Sequence, residues 1–251
     1  MSIYVTGDCH GGFQRFTTKN FPQLKGMRRD DCVMIAGDFG GIWAGEQADG
    51  HHLDWLEDKP FTTLFVDGNH ENFDLLNAYP EQEWNGGRVH VVRPHVLHLM
   101  RGQIFEIGGL IWFTMGGAAS HDIQDGILDP AAPDFERRYW TMRRMNDQFW
   151  VLGKSWWPQE VPSEVEYAEA EANLERAVWQ VDCILTHGAP TSVTRVLNPN
   201  YQSDRLTDFL EKVKERCRFS QWFCGHYHTN RVVDGRFVVQ WEQTSKIETQ
   251  D

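Results

Sequence analysis

Thr63-Leu64-Phe65-Val66-Asp67-Gly68-Asn69-His70-Glu71 is a short apolar run that stops abruptly in a polar turn. The run is β-branched and aromatic and shows no polar alternation, which predicts a strand buried on both faces. The same unit recurs on either side. Ile3-Tyr4-Val5-Thr6 leads into Gly7-Asp8-Cys9-His10-Gly11-Gly12, and Cys32-Val33-Met34-Ile35-Ala36 leads into Gly37-Asp38-Phe39-Gly40-Gly41. Further on, Cys183-Ile184-Leu185-Thr186 runs into His187-Gly188, and Trp222-Phe223-Cys224 into Gly225-His226-Tyr227-His228. Helical patterns around His51–Leu56 and Phe73–Leu76 lie between such runs. Strands alternating with helices predict an α/β fold.

The intervening sequence carries its own punctuation. Gly108-Gly109 between Phe105-Glu106-Ile107 and Leu110-Ile111-Trp112-Phe113 predicts a hairpin, as does Asp234-Gly235 between Arg231–Val233 and Phe237–Val239. Ser163 with Glu166 reads as a capping box opening a helix to about Trp179. Ser203 is expected to cap a second helix, Asp204–Cys217, with Leu206, Phe209, Leu210 and Val213 on one face. No repeat or linker divides the chain, so residues 1–251 read as one domain, with 116–157 as an irregular insertion.

Composition narrows the function classes. The chain has 251 residues, 41% of them hydrophobic and 24% charged, enough for a substantial core. With 24 basic against 36 acidic residues the formal charge is −12, which disfavours nucleic acid or an anionic membrane as a partner for the whole surface. No apolar run reaches the roughly 18 residues of a membrane span, and the N-terminus does not read as a signal peptide. Five scattered cysteines without a C-x-x-C pair argue against a disulfide framework or a thiolate zinc site, and for a reducing, cytoplasmic setting.

Chemistry collects where strands end. In open α/β sheets, sites form beyond the carboxyl ends of the strands. Here those ends carry Asp8 and His10, Asp38, Asn69 and His70, His187, then His226 and His228. Alternate residues of an extended segment project to one side, so D-x-H and H-x-H can each present two donors together. Any one of these residues alone is more often a turn or hydrogen-bonding residue. Five consecutive strand-end loops all bearing them favour a metal site. Cys9, between two candidates, points the other way and reads as core filler.

Taken together, the motifs resemble the calcineurin-like metallophosphoesterases. The resemblance rests on Asp8-Cys9-His10, Gly37-Asp38, Gly68-Asn69-His70-Glu71, His187 and Gly225-His226-Tyr227-His228. It implies two mixed β-sheets packed face to face with helices outside, a four-layer α/β/β/α sandwich, and a dinuclear metal centre at one edge. Asp8, His10 and His228 would hold one ion, Asn69, His187 and His226 the other, and Asp38 would bridge. Two dications against two carboxylates leave about +2 in the pocket. Imidazole and oxygen donors without thiolate suit Mn²⁺, Fe, Zn²⁺, Co²⁺ or Ni²⁺ and do not choose among them; two such ions, Mn²⁺ first, are the expected cofactors. The implied reaction is hydrolysis of a phosphate monoester or diester by a metal-bridging hydroxide, with His70 protonating the leaving alcohol or, alternatively, only orienting its loop. The expected substrate is a small phosphate ester, a nucleotide and a phosphoprotein among the candidates. A scaffold that keeps the fold, binds metal and recruits a partner protein is the alternative.

Departures from the pattern matter as well. The protein-phosphatase branch carries Asp and Arg where this chain has Gly41 and Ile42, which argues against membership of that branch. Gly116–Asp122 and Ser155-Trp156-Trp157-Pro158 resemble a segment of small bacterial or phage members. Arg137, Arg138, Arg143 and Arg144 read as a solvated helix face before a substrate clamp. Trp43, Trp140, Trp150, Trp156 and Trp157 read as packing first and as a stacking surface for a base second.

Overall fold

The uninterrupted apolar runs become strands whose alternate side chains enter different cores. The structure, a computed structural model, describes residues 1–247. One sheet has seven strands: β1 (Ile3–Thr6), β2 (Cys32–Ala36), β3 (Thr62–Val66), β4 (Glu81–Trp84), β5 (Gly87–Arg93), β6 (Val96–Leu99) and β15 (Thr244–Ile247). The other has six: β7 (Ile104–Ile107), β8 (Leu110–Met115), β11 (Cys183–Thr186), β12 (Gln221–Cys224), β13 (Arg231–Val233) and β14 (Phe237–Val239). Both sheets are mixed. Parallel β1, β2, β3 and β6 are joined by antiparallel β15, β5 and β4, and parallel β8, β11, β12 and β14 by antiparallel β7 and β13.

Ile3, Val5, Met34, Leu64, Leu185 and Phe223 meet in the core between the sheets. Their neighbours Tyr4, Val33, Ile35 and Phe65 face outward under α1 (Glu46–Glu57) and α2 (Phe73–Leu76). On the far side Ile184 and Trp222 pack under α4 (Glu164–Arg176), α5 (Thr191–Leu197) and α6 (Arg205–Arg216), whose Leu206, Phe209, Leu210 and Val213 form the expected face. This is the four-layer α/β/β/α arrangement, with period-2 side chains buried on both sides of each central strand. Among the described residues no helix is long and apolar enough to cross a membrane.

Both hairpins form where their glycines place them. Ser163 and Glu166 make the capping box, but α4 ends at Arg176, because Val178 and Trp179 turn left-handed at φ 52° and 51°. Arg216 of α6 lies 3.9 Å over the Trp179 ring and supports that turn. The cap of α6 is Asp204, not Ser203. Its carboxylate accepts from the Thr207 N–H at 2.8 Å while Thr207 Oγ1 accepts from the Asp204 N–H at 2.9 Å. The reciprocal pair satisfies two helix-end donors that a serine one residue earlier would leave bare. Residues 116–157 contain α3 (Phe135–Met145) and a two-stranded parallel sheet of β9 (Gly126–Leu128) and β10 (Phe149–Val151).

A buried polar chain reinforces the end of β3. Asp67 accepts from Arg101 Nε at 2.9 Å and from His98 Nε2–H at 3.1 Å. Asp67 is acceptor-only, so His98 spends its proton there and its Nδ1 accepts from His90 Nδ1–H at 2.9 Å. Burial, aided by His98, pushes the His90 imidazole from 6.5 down to about 4. Between those values the unfolded chain binds a proton that the folded one refuses, so stability is full above about 6.5 and falls as pH drops toward 4. In His90→Gln that contribution is absent. The urea midpoint should therefore fall less between pH 7 and 5 than in the wild type; an equal fall would refute the assignment.

Candidate metal centre

Five central strands, β1, β2 and β3 of one sheet and β11 and β12 of the other, end at a common edge. Their loops bring all seven candidate donors together. His10 Nε2 and His228 Nε2 are 3.1 Å apart, with Asp8 Oδ2 3.2 Å from His228 and Asp38 Oδ2 3.8 Å from His10. One donor atom each from Asp8, His10 and His228 lies within 4.8 Å of the others, close enough to hold a single ion. On the other side of Asp38, its Oδ1 is 3.4 Å from His187 Nε2, which is 3.2 Å from Asn69 Oδ1. The His226 ring lies against His187 at 5.0 Å between centroids.

The donor set fits divalent cations. His187 Nδ1–H donates to the Ala36 carbonyl at 2.8 Å, so its Nε2 alone faces two acceptor oxygens, a grouping that a proton on the ring or a cation among them would satisfy. Burial opposes charge on Asp38, but His187 wins and holds its carboxyl well below the usual range; in return Asp38 pulls His187 up to about 10 against burial. Burial and His187 keep His226 well below its ordinary value. Cys9 sits in the core beside Phe13 and Phe16, its thiol pushed up to about 12 by burial. All five cysteines are free and buried.

The local backbone is unusual at the donors themselves. His10, Asp38, His226 and His228 all occupy the left-handed region, at φ 46°, 43°, 67° and 45°. Non-glycine residues there cost of order 1–3 kcal/mol each and persist only where surroundings over-determine them. A glycine beside a donor can supply a sharp turn. Gly37 does, at φ +96°, whereas Gly68 and Gly225 matter for space, because a Cβ would overlap Asp38 Oδ1 or Asp8 Oδ1.

Several residues that hold the donors escape strand-end reasoning. Arg15 donates to the carbonyl of Asp8 at 2.6 Å and to Thr6 Oγ1 at 2.8 Å, locking the end of β1. Buried Glu71 accepts from the Phe39 and Gly40 N–H groups at 2.7 and 3.2 Å, tying the β3 loop to the β2 loop. Asp8 also accepts the His226 N–H at 3.0 Å, and Asp38 accepts the His70 N–H at 2.8 Å. Ser120 Oγ accepts from Asn69 Nδ2 at 3.1 Å and donates in turn to Glu160 at 2.6 Å. Glu71 lay inside a quoted motif and Ser120 inside the quoted segment Gly116–Asp122, whereas Arg15 and Glu160 lay in neither.

His70 projects beside the cluster, its ring 5.6 Å from that of His10 and 5.6 Å from Trp150. Gly41 and Ile42 bring it no Asp or Arg; Ile42 is buried, and a side chain at Gly41 would strike Phe39 and Phe13. Among the tryptophans, Trp157 is buried and donates to Asp74 at 2.8 Å, with Trp43 edge-on to it. Trp150 is held over His70 by a 2.9 Å bond from its indole N–H to Asp122, while Trp140 stands exposed among the exposed arginines of α3.

Comparison with known proteins agrees with this geometry. A family model described as calcineurin-like phosphoesterase matches residues 1–230. A lariat debranching enzyme from Schizosaccharomyces pombe is 26% identical over 124 residues, a match covering 44% of this chain and 24% of that protein.

Proposed function

Since the chain belongs to the calcineurin-like phosphoesterase family, we propose that it hydrolyses phosphate esters at the edge where the two sheets meet. One observation carries this reading: Asp38 stands between two donor groups, its oxygens 3.4 Å from His187 and 3.8 Å from His10. Asp8, His10 and His228 would hold one ion and Asn69, His187 and His226 a second, with Asp38 shared. Members of the family typically bind two metals. Bound there, they would supply Lewis acidity toward the phosphoryl oxygens and toward water. The mixed imidazole and oxygen set suits transition metals and does not choose among Mn²⁺, Fe, Zn²⁺, Co²⁺ and Ni²⁺; Mn²⁺ is the ion to try first.

The chain's own residues do the rest. His70 is free to hand a proton to the leaving oxygen, since only its backbone N–H is engaged with Asp38. Trp150 packs against that imidazole with the two rings tilted by 56°. Similarity to a debranching enzyme favours trying diesters beside monoesters. The deciding experiment is hydrolysis of p-nitrophenyl phosphate and its bis ester by Mn²⁺-loaded protein, with elemental analysis of the same sample. Turnover of either ester, abolished by chelation and restored by Mn²⁺, is expected. Two bound ions with no turnover of either would overturn the reading in favour of the metal-binding scaffold.

A further inference from the structure

We propose that Ser120 and Glu160 are positioning residues that fix the side-chain amide of Asn69 with its oxygen toward the metal centre, an inference that rests on reading Asn69 as a metal donor. An asparagine amide has two ends of nearly the same shape and opposite chemistry. Only the oxygen can bind a cation; the flipped amide presents two N–H groups to it. Something must therefore distinguish the two orientations before a metal arrives.

Here the distinction comes from a directed chain of hydrogen bonds. Asn69 Nδ2 donates to Ser120 Oγ at 3.1 Å. Ser120 Oγ has a lone pair to offer because its own proton is committed to Glu160 Oε2 at 2.6 Å. The Ser120 N–H donates to the other carboxylate oxygen, Glu160 Oε1, at 3.1 Å. The chain Asn69 to Ser120 to Glu160 thus ends on a group that accepts at both oxygens. A flipped Asn69 would set its oxygen against Ser120 Oγ with no proton between them, leaving a buried acceptor unpaired. In the observed orientation Asn69 Oδ1 is instead 3.2 Å from His187 Nε2, on the side of Asp38.

Glu160 is itself held for this task. It is only 4% exposed and ends the tight turn Pro158–Glu160. Its N–H donates to the Trp157 carbonyl at 3.0 Å, and its carbonyl accepts the Ala118 N–H at 3.0 Å. The backbone around Gly117, at φ +88°, passes so close that a side chain there would overlap the Glu160 carbonyl. The start of the 116–157 segment, Gly116–Asp122, and the stretch just past its end, through Glu160, therefore meet beside Asn69, whose amide Ser120 touches. Ligand-orienting partners of this kind typically change metal affinity by about 10–100-fold when removed.

Two measurements separate positioning from a merely structural clamp. First, calorimetric titration of metal-free protein with Mn²⁺ should give one site weakened by about 10–100-fold in Ser120→Ala and in Glu160→Gln, with the other site unchanged. Gln at 160 offers one acceptor oxygen where Ser120 presents two donors. Leu174→Ala, a cavity in the core under α4, is the control that lowers stability and should leave both affinities alone. Second, in metal-free protein labelled with ¹⁵N-asparagine, the Asn69 side-chain amide should exchange slowly in wild type and Leu174→Ala but quickly in Ser120→Ala. Wild-type affinities at both sites, parallel weakening of both, or undiminished amide protection would each overturn the proposal. Two bound ions without ester hydrolysis would sink the proposed function and leave this inference standing. Wild-type protein that takes up no ion would sink both.

Discussion

Asp38→Asn should lower kcat/KM on phosphate esters by about 10³-fold or more, the upper end of what removing one preorganised electrostatic group costs, and by more than loss of an outer donor such as His228. The reason is the number of groups that meet this carboxylate. Its Oδ1 accepts the His70 N–H at 2.8 Å and lies 3.4 Å from His187 Nε2, while Oδ2 faces His10 at 3.8 Å. An asparagine keeps the shape but must turn an N–H₂ toward one of these sides. Toward Oδ1 it meets the His70 N–H, donor against donor. Toward Oδ2 it presents protons to the Asp8, His10 and His228 cluster. Either way one donor group loses its oxygen, both lose the shared anion, and the charge that offsets two dications falls by one. Kinetics at saturating Mn²⁺, with metal content measured on the same samples, checks this. Activity close to wild type would remove Asp38 from its bridging position.

How much of this could be read in the residues beforehand differs between levels. The central strands were legible because runs such as Cys32–Ala36 and Thr62–Val66 are apolar on both faces, and only a strand sandwiched between layers tolerates that. The candidate donors could be picked out because each lies in the turn that follows such a run. Helix ends were less so. Asp204 and Ser203 are both good caps, and only the position of Thr207 decides between them. The end of α4 depends on Arg216, far along the chain, stacking on Trp179.

Of the supporting shell only Glu71 and Ser120 fell within quoted stretches, and their roles were not legible there. Arg15, Arg101 and Glu160 act through contacts to Trp241, Asp67 and Ser120, all distant in sequence, and no local pattern marks them. The left-handed backbone at His10, Asp38, His226 and His228 is equally silent, because a strained conformation at a non-glycine residue leaves no compositional trace. Gly68 and Gly225 show the reverse case. Their presence was visible, but the reason, room for Asp38 and Asp8 in a crowded centre, needs the fold.

His70→Ala should lower turnover of alkyl phosphate esters by about 10²–10⁴-fold, the usual contribution of a general acid, while leaving both metals bound. Metal retention follows from which atoms of His70 are engaged. Its backbone N–H bonds Asp38, and that bond survives truncation of the ring. The ring itself is 5.6 Å between centroids from His10 and makes no hydrogen bond to a carboxylate among the described residues. The size of the defect should depend on the leaving group. An alkoxide departs reluctantly without a proton, whereas p-nitrophenolate is stable without one, so the p-nitrophenyl esters should lose far less. Trp150, which loses its neighbour in the variant, supplies an internal check: its fluorescence should change with the substitution, whatever the substrate. An equal loss on both ester types would assign His70 to phosphate binding or loop orientation. Loss of one ion would place it in the coordination shell, and the proton-donor role would pass to another group.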